Sequence, residues 1–557
     1  MYRQNYNPTG HVALSTIVAA IPIVVLLYFI ALHPHRDERG VRRLGVAAPF
    51  AAFYGVIAAF LVACLVFGMP LPSALSAFAL GTLSGLVGII WIVLAAMFLY
   101  TITVITGRFE IVKESIVHIS FDRRLQVLLI AFSFGAIIEG TSGFGTPVAI
   151  AGAVMVGLGY SPFQSAVLNL LANTAPVAWG AIGTPIVTLA AVSGLDALAL
   201  STAAGHQLPW VSMLVPFWLV VTFVKMEGGT WREAFEVWPG AVVSGGSFAL
   251  VQFLASRTAS FHLITDVVAG VVSIIVTALF LRFAWHPKTR FLLKSERAAP
   301  AAPLPPARAI VAAWMPWAIL ILCCAVWGSP TVKKTLNAIS QPVFEMPALH
   351  NVVQRVPPVA PPGAKPEAAR FTFNWLSAAG TGVFVAALLS GLLLRLTLAQ
   401  WKLAVVATAR RMRVPVLVIA QVLGLGFLTR YSGADAVLGL AFTSAGAAYP
   451  FFAAYLGWLG VFLTGSDTAS NALFGSLQRI TAQQLHLNET LIVATNSTGG
   501  VMGKMIDAQS IMVACAACYE DPYERTHALG PIFRTVWWHS VAGAAVIGAI
   551  AMIQTYW

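Results

Sequence analysis

Charged residues are scarce in this chain, 10% of 557, against roughly 25% in a soluble domain. So little charge cannot cover a water-facing surface, which excludes an ordinary soluble globule. Cysteine is scarce too. Cys64, Cys323, Cys324 and Cys515 lie in apolar runs and Cys518 closes the last of these, so no disulfide framework is in view. Cys515-Ala-Ala-Cys518 has redox or metal spacing but no second ligand pair, and reads as packing. His-Glu-x-x-His, Gly-x-Ser-x-Gly and clusters of metal ligands are all missing, so no enzyme, cofactor or metal motif is offered. The first apolar stretch, 12–32, lacks a basic segment before it and a small-residue cleavage site after it. It therefore reads as a retained helix rather than a removed signal peptide.

What the chain has is apolar length. Hydrophobic residues make up 58% and the mean hydropathy is +0.82. Runs near the ~20 residues that span a bilayer recur at 12–32, 44–68, 206–224, 237–256, 263–283, 309–328, 373–394 and 531–553. This is a polytopic all-α membrane protein, one transporter-like domain over 1–557, with about 12 transmembrane helices expected. The formal charge of +12 does not point to nucleic acid, because it is gathered in short loops between apolar runs. Those clusters are Arg36, Arg39, Arg42 and Arg43; Lys288, Arg290, Lys294 and Arg297; and Lys402, Arg410, Arg411 and Arg413. Such clusters set orientation and, placed inside, put both termini outside. His33, His35 and His286 read as loop residues.

Two polar knots interrupt the apolar sequence. Glu139-Gly-Thr-Ser-Gly-Phe-Gly-Thr-Pro147 precedes Ala172-Asn-Thr-Ala-Pro176. In the second half, Thr464-Gly-Ser-Asp-Thr-Ala-Ser-Asn471 precedes Thr495-Asn-Ser-Thr-Gly-Gly500. Irregular backbone at membrane depth is tolerated only where protein buries it or where it lines a cavity. Asn173 and Asn496 are 323 positions apart, as are Gly180 and Gly503, while Gly140 and Gly465 are 325 apart. The near-equal offsets predict an inverted repeat. Its first core is 73–194, with a re-entrant hairpin at 125–158 and a broken helix at 160–194. Its second is 414–517, with a hairpin at 449–480 and a broken helix at 482–517. Each hairpin arm is expected to be shorter than a span, the breaks to lie at Asn173–Gly183 and Asn496–Asp507, and interfacial helices to cover 108–124 and 431–448. The Pro-rich 329–372 segment is expected to be an extended external loop.

Helix breaks leave N–H groups without intrahelical partners at the positive end of a dipole, and so favour anions. Gly140 and Gly143 let backbone approach a small ligand closely. Neutral polar groups come from Thr141, Ser142, Asn173, Thr174, Ser466, Thr468, Asn496 and Ser497. Lys504, the one lysine in the four elements, would answer a carboxylate. The plainer role for each hydroxyl is capping its own helix. Three acids share this depth: Glu139, Asp467 and Asp507. Ionised carboxyls inside a membrane are costly and usually functional, so these are the candidate proton sites, Glu139 foremost. An ion pair between Lys504 and Asp507, three residues apart, is the plainer alternative.

Phe134-Gly-Ala-Ile-Ile-Glu-Gly-Thr-Ser-Gly-Phe-Gly-Thr-Pro-Val-Ala-Ile150, Thr464-Gly-Ser-Asp-Thr-Ala-Ser-Asn-Ala-Leu-Phe474 and Asn496-Ser-Thr-Gly-Gly-Val-Met-Gly-Lys-Met-Ile506, with Gln509-Ser-Ile511, closely resemble the bacterial L-lactate permease family. The likeness in length and helix layout covers essentially the whole chain. It implies proton-coupled symport of L-lactate, D-lactate and glycolate across the inner (plasma) membrane, by an elevator-type transporter of the ion transporter superfamily. Substrate, proton and membrane lipid are the partners implied, with no cofactor. A sodium-coupled carboxylate carrier is the alternative, since hairpin carbonyls and Asn side chains also suit Na⁺. Two positions depart from the family pattern: Asp507-Ala508 stands where Ser-Pro is usual, and Thr141-Ser142 where two alanines are common. The sequence does not set the oligomeric state.

Overall fold

The computed structural model describes residues 1–29, 33–36, 42–44, 46, 48–143, 145–293 and 305–557. Arg39, Phe144, Lys294 and Arg297 lie outside the described residues. Among those described, ten helices are long and apolar enough to cross a bilayer. The count is eleven if Pro162–Ala172 and Val177–Ser193, bent by 69°, form one span. That falls short of the twelve or so expected. Ala379–Leu393 has 15 residues, less than a span needs, and the 12–32 run is described only as far as residue 29. Leu398–Ser432 is one continuous helix of 35 residues. Lys402, Arg410, Arg411 and Arg413 thus ride on a helix rather than in a loop. Arg411 Nη2 donates to Thr146 Oγ1 at 3.1 Å, at the start of the first hairpin's second arm.

The paired polar elements occupy the interior. Arg123–Ser142 runs as a 20-residue, wholly buried helical stretch, with a π-helical turn over Leu128–Phe134. The first arm of that hairpin is therefore span-length, against expectation, and only its partner Thr146–Gly157 is short. The second hairpin has arms Tyr449–Thr464 and Asp467–Gln484. The first broken helix is Pro162–Ala172, a turn, Val177–Trp179, and Gly180–Ser193. The second is Glu489–Gly503 followed by Ala508–Cys518, so its break is confined to Lys504–Asp507. Asn496 and Ser497 lie inside unbroken helix because Gly499 and Gly500 serve packing here. A Cβ on Gly499 would lie 2.2 Å from the Ala454 carbonyl oxygen, and one on Gly457 would lie 1.8 Å from that of Asn496. Small residues allow this backbone approach between helices.

Two peripheral expectations also change. The 108–124 stretch is not one helix: it is helical over Arg108–Val117, breaks, and becomes helical again at Arg123, where the first hairpin arm begins, and Arg124 is fully buried. Its guanidinium meets Asp122 Oδ2 at 2.7 Å and Glu236 Oε2 at 3.0 Å, and donates to the carbonyls of Glu233 and Thr289. Two acids and two carbonyls compensate what burial takes from it. The 329–372 segment is folded. It contains helix Pro330–Ile339, an antiparallel pair Val343–Glu345 with Arg370–Thr372, and Val353–Gln354 lying parallel to Tyr2–Arg3. Tyr2 OH donates to the carbonyls of Phe67 and Ser432.

Arg124→Gln should leave Asp122 and Glu236 facing each other uncompensated. We expect a loss of about 3 kcal/mol, read as a lower unfolding temperature of the purified protein. Adding Asp122→Asn should restore part of it.

Candidate functional site

Each hairpin tip closes over the break of its own half. Gly143, at φ 56°, ends the first arm, and a Cβ there would come within 3.0 Å of the Ala181 Cβ. Glu139, one turn earlier, lays its carboxylate across Gly180, where a Cβ would be 2.6 Å from Glu139 Oε1. Beyond Gly180 the backbone is left-handed for three residues running: Ala181 (φ 45°), Ile182 (φ 58°) and Gly183 (φ 68°). A β-branched residue in that region is strained, at about 1–3 kcal/mol, and such strain gathers at functional sites. In the second half Gly465 turns the tip at φ 72°, and a Cβ on it would meet Gln509 Oε1 at 2.9 Å and Asp507 Oδ1 at 3.0 Å.

The halves meet across a cavity of about 30 Å³ lined by Glu139, Gly143, Val177, Gly180, Ala181, Thr184, Pro185, Gly465, Ser466, Asp467, Thr468 and Lys504. That is room for a water or two, so a small organic acid would have to open it. Thr184 and Thr468 hydroxyls lie 3.5 Å apart across it, and Asn471 Nδ2 donates to the Pro185 carbonyl at 3.1 Å. Of the residues singled out in sequence, Glu139, Gly143, Ser466, Asp467, Thr468 and Lys504 line this space. Gly140, Thr141, Ser142, Asn173, Thr174, Asn496, Ser497 and Asp507 do not.

Their hydrogen bonds explain the division. Thr141 and Ser142 hydroxyls donate back to carbonyls of their own helix, as does Thr174, and Ser466 Oγ caps the second hairpin's second arm by accepting from Ala469 N. Asn496 is fully engaged: its Nδ2 donates to Asn471 Oδ1 at 2.9 Å and its Oδ1 accepts from Gln478 Nε2 at 3.0 Å. Ser497 Oγ donates to Asp467 Oδ2 at 2.5 Å. Asn173 differs from its repeat mate. It is buried and its amide faces Glu139, but it closes no hydrogen bond of ordinary length among the described residues. Lys504 Nζ donates to the Gly465 carbonyl at 2.6 Å and lies 3.5 Å from Asp507 Oδ2, so the plainer ion pair does form. Asp507 Oδ1 meanwhile caps the helix that follows, accepting from Ser510 N. Glu139 Oε2 and Asp467 Oδ1 are buried without hydrogen-bond partners among the described residues.

Sequence reasoning missed several residues here. Thr184 and Pro185 belong to a second Gly-Thr-Pro, at 183–185, which repeats that at 145–147 and was the available signal. Asp266 lies near the start of the 263–283 apolar run. It is fully buried at the start of Thr265–Phe283, accepts from Gln252 Nε2 at 3.0 Å, and leaves Oδ2 without a partner among the described residues. Gln252 also donates to the Ala175 carbonyl, tying Asp266 to the first break.

The L-lactate permease family model matches residues 15–557. This chain belongs to the L-lactate permease family. Glycolate permease GlcA of Escherichia coli strain K12 is 42% identical over 578 residues, covering 100% of this chain and 98% of that one. L-lactate permease of Salmonella typhimurium is 40% identical over 567 residues, with the same coverage. Among solved structures, Neisseria gonorrhoeae MtrF aligns with 98% of the chain and 95% of its own, at 12% identity and a TM-score of 0.43, a likeness too loose to argue from. Membership, with ten or more apolar helices, makes this L-lactate permease family member a multi-pass membrane permease and not an enzyme.

The two asparagines at matching repeat positions should behave differently. Asn173→Ala removes no hydrogen bond of ordinary length and should leave thermal stability nearly unchanged while lowering uptake at least tenfold. Asn496→Ala breaks two buried bonds and should destabilise by about 1–3 kcal/mol. Unfolding temperatures measured beside uptake rates on the same preparations check this.

Proposed function

We propose that this permease imports L-lactate and related small 2-hydroxymonocarboxylates, D-lactate and glycolate among them, together with a proton across the bacterial plasma membrane. One observation carries the reading: Glu139 from the first half and Lys504 from the second line the same small cavity with both hairpin tips. The names of the relatives, glycolate permease and L-lactate permease, support the substrate class.

In this reading the substrate carboxylate meets Lys504 and the N–H groups at the tips and breaks, displacing the Gly465 carbonyl from the ammonium. Asn173, whose amide closes no hydrogen bond of ordinary length among the described residues, takes the 2-hydroxyl. The proton travels on the carboxyl cluster. Lys504 shares the cavity with Glu139 and Asp467 and pairs with Asp507, while Asp266 is buried by the first break, and a dry interior cannot hold four carboxylates against one cation. Charge balance there calls for protons. Glu139 is the coupling residue, because it alone of the four reaches the cavity from the first hairpin. The two hairpins, re-entrant from opposite faces, and their broken helices form an inverted repeat that moves substrate by an elevator step, with the termini outside. The closure of each tip over its own break supports that division.

In proteoliposomes, an inward proton gradient without sodium should drive concentrative uptake of labelled lactate. Strict dependence on sodium would sink the coupling. Glu139→Gln should abolish gradient-driven net uptake yet leave lactate–lactate exchange running, and intact gradient-driven uptake in that variant would place the proton elsewhere.

A further inference from the structure

A cavity that shares no lining residue with the hairpin tips is a groove of about 1060 Å³ bounded by Arg108–Val117 and the turn after it, Thr265–Phe283 and Ala307–Gly328. Its two ends differ chemically. One end carries Arg282 and Arg290 with His118 and His286. From there the apolar wall follows Thr265–Phe283 back to Val271, eleven residues or about 16 Å of helix. Ile275 and Leu279 on this wall are each 52% exposed, and Ile310, Trp314 and Ile321 face them from the neighbouring helix.

We propose that this groove binds an anionic phospholipid, its acidic phosphodiester headgroup between Arg282 and Arg290 and an acyl chain along the Ile275–Leu279 wall. Charge complementarity favours that occupant. Arg282 and Arg290 are exposed and have no ion-pair partner among the described residues. The carboxylate on the same wall, Asp122, is already bound to Arg124 at 2.7 Å and cannot neutralise them. Arg290 is held in place, its Nε donating to the Phe121 carbonyl at 3.1 Å and its guanidinium 5.5 Å from the Phe121 ring centre. Basic pockets between membrane helices select anionic headgroups in this way. A free phosphate would use the basic end but leave the apolar wall uncovered. A second copy packed on this face about a two-fold axis would bring like charges together.

The test uses the full-length protein in detergent, titrated with phosphatidylglycerol, with phosphatidylcholine, and with soluble glycerol 3-phosphate. Bound lipid is read by native mass spectrometry and stabilisation by thermal unfolding. Phosphatidylglycerol should be retained in preference to phosphatidylcholine, and glycerol 3-phosphate should not compete at equal concentration. Each arginine contributes roughly fivefold to an anionic preference, so Arg282→Gln with Arg290→Gln should reduce it about 25-fold. Leu279→Trp, which narrows the apolar wall and leaves the charges alone, should weaken retention of both lipids. Equal binding of the two lipids, an undiminished preference in the double arginine variant, full competition by glycerol 3-phosphate, or a dimer that buries the groove without lipid would each overturn the proposal.

Discussion

Backbone that leaves a helix inside a membrane must find its hydrogen bonds within the protein, and this structure is arranged around that requirement. Two helices break at membrane depth, and a hairpin tip is pressed onto each break. The second tip is held through side chains: Asp467, Ser497, Asn471, Asn496 and Gln478 form one chain of hydrogen bonds from tip to helix. The first tip is held by shape, with Gly143 and Gly180 letting the Glu139 arm lie directly on the break. A similar architecture is thus secured polar-side in one half and steric-side in the other. Carboxylate oxygens without a partner among the described residues remain in both halves, on Glu139 and on Asp467, whereas an unbonded amide, that of Asn173, is found at the first break and not at Asn496.

The architecture was largely legible because a bilayer allows few solutions. Once apolar runs and two matching polar knots are seen, helices and breaks follow from hydrogen-bond satisfaction alone. Over 449–480, where the sequence suggests a hairpin, the chain has two helices, Tyr449–Thr464 and Asp467–Gln484, joined at Gly465–Ser466. What the sequence hid were lengths and joins. Arg410–Arg413 looked like a loop because charge usually marks one, yet the helix carries straight through. The Pro-rich 329–372 stretch looked unstructured because its strand pairings reach distant partners such as Tyr2 and Arg3, and pairings at that separation leave no local pattern.

The site was legible by residue type and illegible by role. Asn173 and Asn496 look equivalent in a repeat, but hydrogen bonding is decided by neighbours, and only Asn496 has Gln478 and Asn471 within reach. Glycine next to Asn and Ser suggested a break at Asn496, whereas Gly499 and Gly500 are there so that another chain segment can lie close. Asp266 escaped notice because one acid at the end of an apolar run is what a helix terminus usually shows.

The Tyr2 hydroxyl bonds to carbonyls at Phe67 and Ser432, partners 65 and 430 positions along the chain. During synthesis the second bond cannot exist until Ser432 has left the ribosome and its helix has entered the bilayer. The contact to Phe67 can form early, so Tyr2 is held on one side first and on the other only late. An insertion pathway that places helices one by one must leave this closure for the end, and a chain halted short of Ser432 would carry helices in the membrane without the clasp that holds their rim.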